Sequence, residues 1–201
     1  MSGLEFRTLD IAARVRSGEL SATDVTKAVF ADIAERDGTL NCVTRALTDR
    51  AFAAAAAVDS AVAEGRDPGA LAGVPFGIKD LFDVAGQVTT AGSKVLANDP
   101  PATRDAALVA RLIDAGAIPV ALTNMDEFAY GFATDNAHHG VTRNPHAPDH
   151  LAGGSSGGSA AGVAARPFFL GLGSVTNGSF RVPPFLCGVW GLRGTQGRLP
   201  I

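Results

Sequence analysis

The chain has 201 residues, 46% of them hydrophobic and 18% charged, with a net charge of -3, enough to bury the core of one domain plus a small extension. Its mildly acidic balance, with no lysine or arginine run, leaves no electrostatic footprint for nucleic acid or for an anionic membrane surface. Small neutral or anionic molecules remain as partners.

The opening residues MSGLEFRTLD lack the basic start, apolar stretch and small-residue cleavage site of a secretory signal, which predicts a cytoplasmic protein. A short helix is expected over about Leu9 to Arg16. From Ser21, SATDVTKAVFADIAERDG sets a serine ahead of the apolar period Val25, Val29, Ile33, with Asp24 as a short-armed partner in a capping box, so an amphipathic helix follows. An alanine-rich third helix should run from about Asp49 to Glu64 and stop at GRDPGALAG. The alanines at 53–57 are followed by Asp59, Glu64 and Arg66, well short of the roughly 20 apolar residues that a membrane span needs. Residues 1–66 are expected to form an N-terminal helical segment, and residues 67–201 the core.

In GVPFGIKD the alternation of Val74, Phe76 and Ile78 is that of a strand; DAALVARLIDAGA from Asp105 is a helix, and AIPVALTN from Ala117 is a strand again. A β, helix, β order predicts an α/β fold with a parallel or mixed sheet, whose carboxyl ends are where ligands sit. Lys79 and Asn124 each follow such a strand. Thr134 to Ala152 is polar and punctuated by proline, SSGGSAAGVAA is a small-residue helix, and FFLGLGS is a third strand, after which the glycines and prolines predict no final helix. No internal repeat is present. Cys42 and Cys187 lie far apart and outside any CxxC pattern, which reads as two reduced core cysteines.

The run GGSSGGSA at 153–160 admits several readings. A linker fails because too little sequence follows for an independent domain and a helix begins inside the run. A phosphate loop needs lysine and then Ser/Thr after its last glycine, whereas Gly158 is followed by Ser159 and Ala160; the dinucleotide fingerprint is also absent. Gly153, Ser155 and Gly157 match GxSxG, yet His138, His139, His146 and His150 all precede Ser155, so the chain order of that triad cannot be met. His146 and His150 have i, i+4 spacing with Pro148 between them, which disfavours a helical metal pair.

Without a suitable histidine, a nucleophilic serine needs another base, and lysine is the known alternative. Lys27 lies on the polar side of a helix and Lys94 follows a Gly-Ser loop, but Lys79 ends an apolar strand. Burial there would lower its pKa and populate the neutral amine; a strand-end ion pair with Asp80 or Asp83 is the competing reading. Downstream, SVTNGSFRVP places Ser179 after Thr176, Asn177 and Gly178. A tight turn there would aim several N–H groups at one point, as an oxyanion hole requires, and an ordinary glycine turn fits the same residues.

Taken together, GVPFGIKDLFDVAG, TNMDEFAYGFATDN, GGSSGGSAAGVAA and NGSFRVPPFLCGVWGL, in this order and spacing, resemble the amidase signature family of serine amidohydrolases, from about Leu9 to the end. The resemblance implies a mixed β-sheet core flanked by helices and a Ser, cis-Ser, Lys triad. Lys79 matches the general base, Ser155 the bridging serine after a cis Gly154–Ser155 bond, and Ser179 the nucleophile, with the N–H groups of Thr176, Asn177, Gly178 and Ser179 as the oxyanion hole. It further implies hydrolysis of a small amide through an acyl-enzyme with release of ammonia, and no metal or other cofactor. Asn124, Met125, Asp126 and Gly154 are expected to contact substrate, although the aromatics of MDEFAYGF suit a core equally well. Within the family, MDEFAYGF, TNGS and LCGVWGL look most like the 1-carboxybiuret hydrolases, with the amidase-type component of glutamyl-tRNA(Gln) amidotransferase next. Both branches act with small partner subunits, which implies a small partner subunit or a homodimer, and neither direct nucleic-acid nor membrane contact.

Two departures stand out. Where the family usually has aspartate, GSVTNGS has Val175; an acid there could pair with Arg181, and valine leaves a buried arginine without its partner. GLRGTQGRLPI departs from the usual GLKPT(F/Y)GR. Family members are also more than twice this length, so the chain is expected to carry an N-terminal half with exposed strand edges and apolar faces. Three readings follow: a hydrolase of small amides, an amidotransferase-type subunit, or an inactive truncated copy.

Overall fold

The computed structural model describes residues 7–199. Helix α1 spans Thr8–Arg16 and α2 spans Ala22–Leu40, close to their expected bounds. Ser21 caps α2 by accepting the Asp24 N–H at 3.3 Å. A second cap comes from tertiary structure: Asp59, on helix α3 (Thr48–Ala63), accepts from the Ser21 hydroxyl at 2.9 Å and from the N–H groups of Ala22 and Thr23 at 2.6 and 3.0 Å. These bonds satisfy donors that a helix start leaves without partners.

Between α2 and α3 lies a strand that the sequence reading of 1–66 as helical did not anticipate, β1 at Val43–Ala46. Four residues without clear alternation carry too little period to signal a strand. It joins a four-stranded sheet of order β1-β3-β2-β8, in which β2 is Pro75–Lys79, β3 is Ile118–Thr123 and β8 is Leu170–Leu172. β2 runs parallel to both β3 and β8, and β1 runs antiparallel to β3, giving the mixed sheet of the expected α/β fold. The register slips by one residue where Phe76 faces Pro119 and Gly77 faces Ala121, at a proline that has no N–H for the ladder.

Every residue of β2 and β3 is buried, as strands covered on both faces must be. On one face Val74, Ile118, Val120 and Ala121 meet the apolar sides of α1, α2 and α3. On the other, Phe76, Ile78 and Leu122 pack with Val109 of helix α4 (Ala107–Asp114). The crossover from β2 through α4 to β3 is the βαβ unit expected from the hydrophobic pattern.

The polar stretch Thr134–Ala152 is more regular than its composition suggests, folding into two ladders: β4 (Asp135–Asn136) with β5 (Gly140–Val141), and β6 (Arg143–Asn144) with β7 (Ala147–Leu151). Helix α5 (Gly157–Ala165) leads to β8. The expectation of no final helix is corrected by α6, Val182–Cys187, whose Pro183 falls in the first turn and whose end is capped by Gly188 at φ 65°. Proline breaks a helix interior but suits its first turn, where the missing N–H has no partner to lose. Among the described residues β8 has no neighbour on its outer side, and Phe185, Trp190 and Leu192 are exposed beyond it.

Candidate active site

Lys79 is the last residue of β2, at the carboxyl end of the sheet, and is fully buried. Its Nζ lies 2.7 Å from Ser155 Oγ, 2.8 Å from Ser174 Oγ and 3.0 Å from Ser156 Oγ. Burial lowers its pKa and the charge of Asp126 raises it, the balance falling at about 7. The neutral amine is therefore well populated at neutral pH. The competing ion pairs are absent: Asp80 binds the Thr90 hydroxyl and Asp83 accepts from Thr89 at 2.7 Å. Asp80 has its own balance, burial raising its pKa against the hydrogen bonds from Thr90.

The loop entering α5 explains the glycines of GGSSGGSA. The Gly154–Ser155 peptide is cis. A Cβ on Gly154, Gly157 or Gly158 would stand 2.0 Å from Asp126 Oδ2, 2.4 Å from Thr134 Oγ1 and 2.5 Å from the Asn124 nitrogen, respectively. The small residues thus let this loop lie against β3 and its following segment. Thr134 holds both sides of it, donating to the Gly153 carbonyl at 2.9 Å and accepting from the Gly157 N–H at 3.0 Å. The Gly158 N–H donates to the Asn124 carbonyl at 3.0 Å.

Ser179 is buried in the turn between β8 and α6. The turn packs on the cis-peptide loop, since a Cβ on Gly173 would meet Ser156 Oγ at 3.0 Å and one on Gly153 would meet Pro183 and Val182 at 3.2 Å. The Gly178 carbonyl accepts from the N–H groups of Arg181 and Val182, both at 2.8 Å. The N–H groups of Thr176, Asn177, Gly178 and Ser179 make no hydrogen bond among the described residues, so four donors stand unspent beside Ser179. The structure brings Lys79 and Ser155 into direct contact; between Ser155 and Ser179 no hydrogen bond is formed among the described residues. A groove of about 560 Å³ runs past the turn, along Leu172, Gly173, Thr176 and Phe180.

The expected substrate contacts divide. Asn124 is fully buried with its amide engaged by the Gly140 carbonyl and the Thr142 hydroxyl, both at 3.0 Å, and by the Met125 N–H at 2.9 Å. Met125 is also fully buried. Asp126 and Gly154 sit against each other at the cis peptide. The aromatics of MDEFAYGF are not core: Phe128, Tyr130 and Phe132 are 52%, 93% and 57% exposed. Arg181 is exposed and donates to the Asn177 carbonyl, so Val175 leaves no buried charge unpaired. His146 bonds the Cys187 carbonyl at 3.0 Å while His150 is exposed. Cys42 and Cys187 are free and buried, and burial pushes both thiols up, Cys187 to about 11.

Sequence reasoning missed Ser156 and Ser174 as partners of Lys79. The signal for Ser174 lies in the pairing of parallel strands: Ile78 is level with Leu172, so residues just past each strand end meet at the same edge. Ser156 needed the loop geometry.

A buried lysine facing serines at the edge of a mixed sheet is the arrangement of a serine hydrolase that works without histidine. The model of the Amidase family matches residues 24–201, and the chain belongs to that family. AtzE of Pseudomonas sp. (strain ADP), a component of 1-carboxybiuret hydrolase, is 51% identical over 193 residues, which are 96% of this chain and 42% of that protein. The amidase-type component of glutamyl-tRNA(Gln) amidotransferase from Lachnospira eligens is 46% identical over 197 residues, 98% of this chain and 41% of that one. Among solved structures, an inhibitor-bound vestigial protein complex that bears on the origins of an s-triazine catabolic enzyme superposes with a TM-score of 0.95 at 50% identity, over 96% of this chain and 42% of that one. The peptide amidase of Stenotrophomonas maltophilia gives 0.83 at 37% identity, over 91% and 39%. The chain thus spans about two fifths of the length of the relatives it matches.

Proposed function

We propose that this chain carries the reactive centre of an amidohydrolase that cleaves the carbon-nitrogen bond of a small amide through a serine acyl-enzyme. The observation that carries the reading is the buried Lys79 amine, 2.7 Å from Ser155 beside a cis peptide, with a pKa of about 7. Neutral Lys79 accepts the proton of Ser155 as Ser155 accepts that of Ser179, and Ser179 Oγ attacks the amide carbonyl. The free N–H groups of Thr176, Asn177, Gly178 and Ser179 receive the charge that develops on oxygen. Collapse breaks the C–N bond, the relay returns the proton to the leaving nitrogen, ammonia departs, and water hydrolyses the acyl-enzyme by the same route.

The identity to a component of 1-carboxybiuret hydrolase supports a short, linear, urea-like amide as substrate. An amidotransferase role, in which the ammonia passes to a glutamyl-tRNA, draws support from the 46% identity to the corresponding component of that enzyme. Both relatives are subunits by name, which supports a partner subunit for this chain. Among the described residues no helix is long and apolar enough to cross a membrane, in keeping with a cytoplasmic site of action.

The test is release of ammonia from biuret-like amides and from glutamine by the purified chain, beside Ser179→Ala. Ser179-dependent release from the former supports the hydrolase, and release from glutamine with transfer to glutamyl-tRNA supports the second reading. No Ser179-dependent release by the folded chain would refute catalysis by these residues alone and leave an inactive copy.

A further inference from the structure

Asp126 closes both ends of the exposed aromatic segment 127–133. Its N–H donates to the Ser155 carbonyl at 3.3 Å, its carbonyl accepts from the Ala129 N–H at 2.9 Å, and its Oδ2 accepts from the Ala133 N–H at 3.2 Å. The carboxylate is wedged between two positions that have no room for a side chain. A Cβ on Gly154 would stand 2.0 Å from Oδ2, and one on Gly131 would stand 2.6 Å from Cγ. The residue is only 6% exposed, and among the described residues no lysine, arginine or histidine lies within salt-bridge distance of it. A single peptide N–H is weak compensation for a buried carboxylate, so its field is left to act on what lies across the Gly154–Ser155 peptide, where the Lys79 amine meets Ser155.

The geometry points to Asp126 as a positioning residue of this site: its carboxylate ties segment 127–133 to the cis peptide and supplies the negative charge that sets how firmly Lys79 holds its proton. This deepens the amidohydrolase reading and rests on Lys79 being its base. The other charged groups near Lys79 are turned elsewhere. Asp80 faces Thr90, with Arg45 and His139 acting on it. Glu127 pairs with His138 at 3.1 Å, Arg181 holds the Asn177 carbonyl, and α5 carries no charged residue. Asp126 is the one charge that opposes the effect of burial on Lys79. Removing it must therefore make Lys79 lose its proton at lower pH.

The chain has three lysines, Lys27, Lys79 and Lys94, so lysine labelled with 13C at Cε gives three signals, and Lys79→Met identifies the one of interest. Following them from pH 5 to 11 in the wild-type chain and in Asp126→Asn requires no turnover. The midpoint of Lys79 is expected to fall by on the order of one pH unit in the variant, the low end of what a nearby opposite charge does, while Lys27 and Lys94 stay in place. Asp126→Ser, smaller and neutral with an oxygen still able to accept from Ala133, repeats the measurement should the asparagine not fit, and the same fall is expected. A merely structural anchor would leave the midpoint unmoved in both variants, which would overturn the assignment. A wild-type midpoint near the ordinary lysine value would instead refute the neutral base of the proposed function, and a fall from that value in the variants would still support the role of Asp126.

Discussion

Replacing Lys79 by methionine should change the pH dependence of stability. The fall of its pKa from 10.5 to about 7 corresponds, at 1.36 kcal/mol per unit, to about 5 kcal/mol against the charged form in the folded state. The sign follows from proton counting. Between pH 7 and 10.5 the unfolded chain binds a proton at this lysine that the folded chain releases, so stability rises with pH across that window and is lost as pH falls toward 7. Between pH 7 and 9 the gain is about 2 kcal/mol, allowing for the half-protonated state at pH 7. Methionine has a similar length and no charge, so Lys79→Met removes this slope while leaving every other titrating group in common. Urea denaturation at pH 7 and pH 9 measures it: the difference in unfolding free energy, wild type minus variant, should grow by about 2 kcal/mol in favour of wild type. Equal pH dependence in the two proteins would refute the depressed lysine and with it the neutral base.

Three further outcomes are expected. Ser174→Ala removes a hydroxyl 2.8 Å from Lys79 Nζ and should cost about 1–2 kcal/mol of stability by urea denaturation, the scale of a buried hydrogen bond. Gly154→Ala places a methyl 2.0 Å from Asp126 Oδ2 and should cost about 3 kcal/mol or more, as overpacking does; Gly38→Ala, inside α2 with nothing within 4 Å, should stabilise by about 0.5–1 kcal/mol. Asp59→Ala removes the tertiary cap of α2 and should cost about 1–2 kcal/mol at pH 7. Burial raises the pKa of Asp59, but hydrogen bonds from Thr23, Ala22 and Ser21 outweigh it and hold the carboxyl below its ordinary value, so wild type should lose this advantage as pH falls through that lowered value, and the two proteins should converge in acid thermal melts.

The elements with strong periods were legible in the sequence. α1, α2, α3, β2 and β3 stand within a few residues of their expected bounds because Val25 and Val29, or Phe76 and Ile78, repeat at spacings that only one kind of element satisfies. β1 was hidden because its pairing with β3 is decided by tertiary contact and not by its four residues. α6 was hidden because Pro183 and Pro184 read as breakers until their position in the first turn is known. At the site, a desolvated Lys79 could be argued from its place at the end of an apolar strand. Its contacts with Ser156 and Ser174 could not, since they depend on the relative height of β2 and β8 and on a loop held down by Thr134. The two roles open for the aromatic segment were separated by exposure alone.

The central claim is that Lys79, Ser155 and Ser179 act as one proton relay, and covalent labelling by a fluorophosphonate probe tests it most directly, because acylation needs only the nucleophile and its base. The account predicts that the wild-type chain is labelled once, at Ser179, and that Ser179→Ala and Lys79→Ala, each still folded by circular dichroism, are not. Labelling that survives in either variant, or no labelling of the folded wild-type chain, would contradict it.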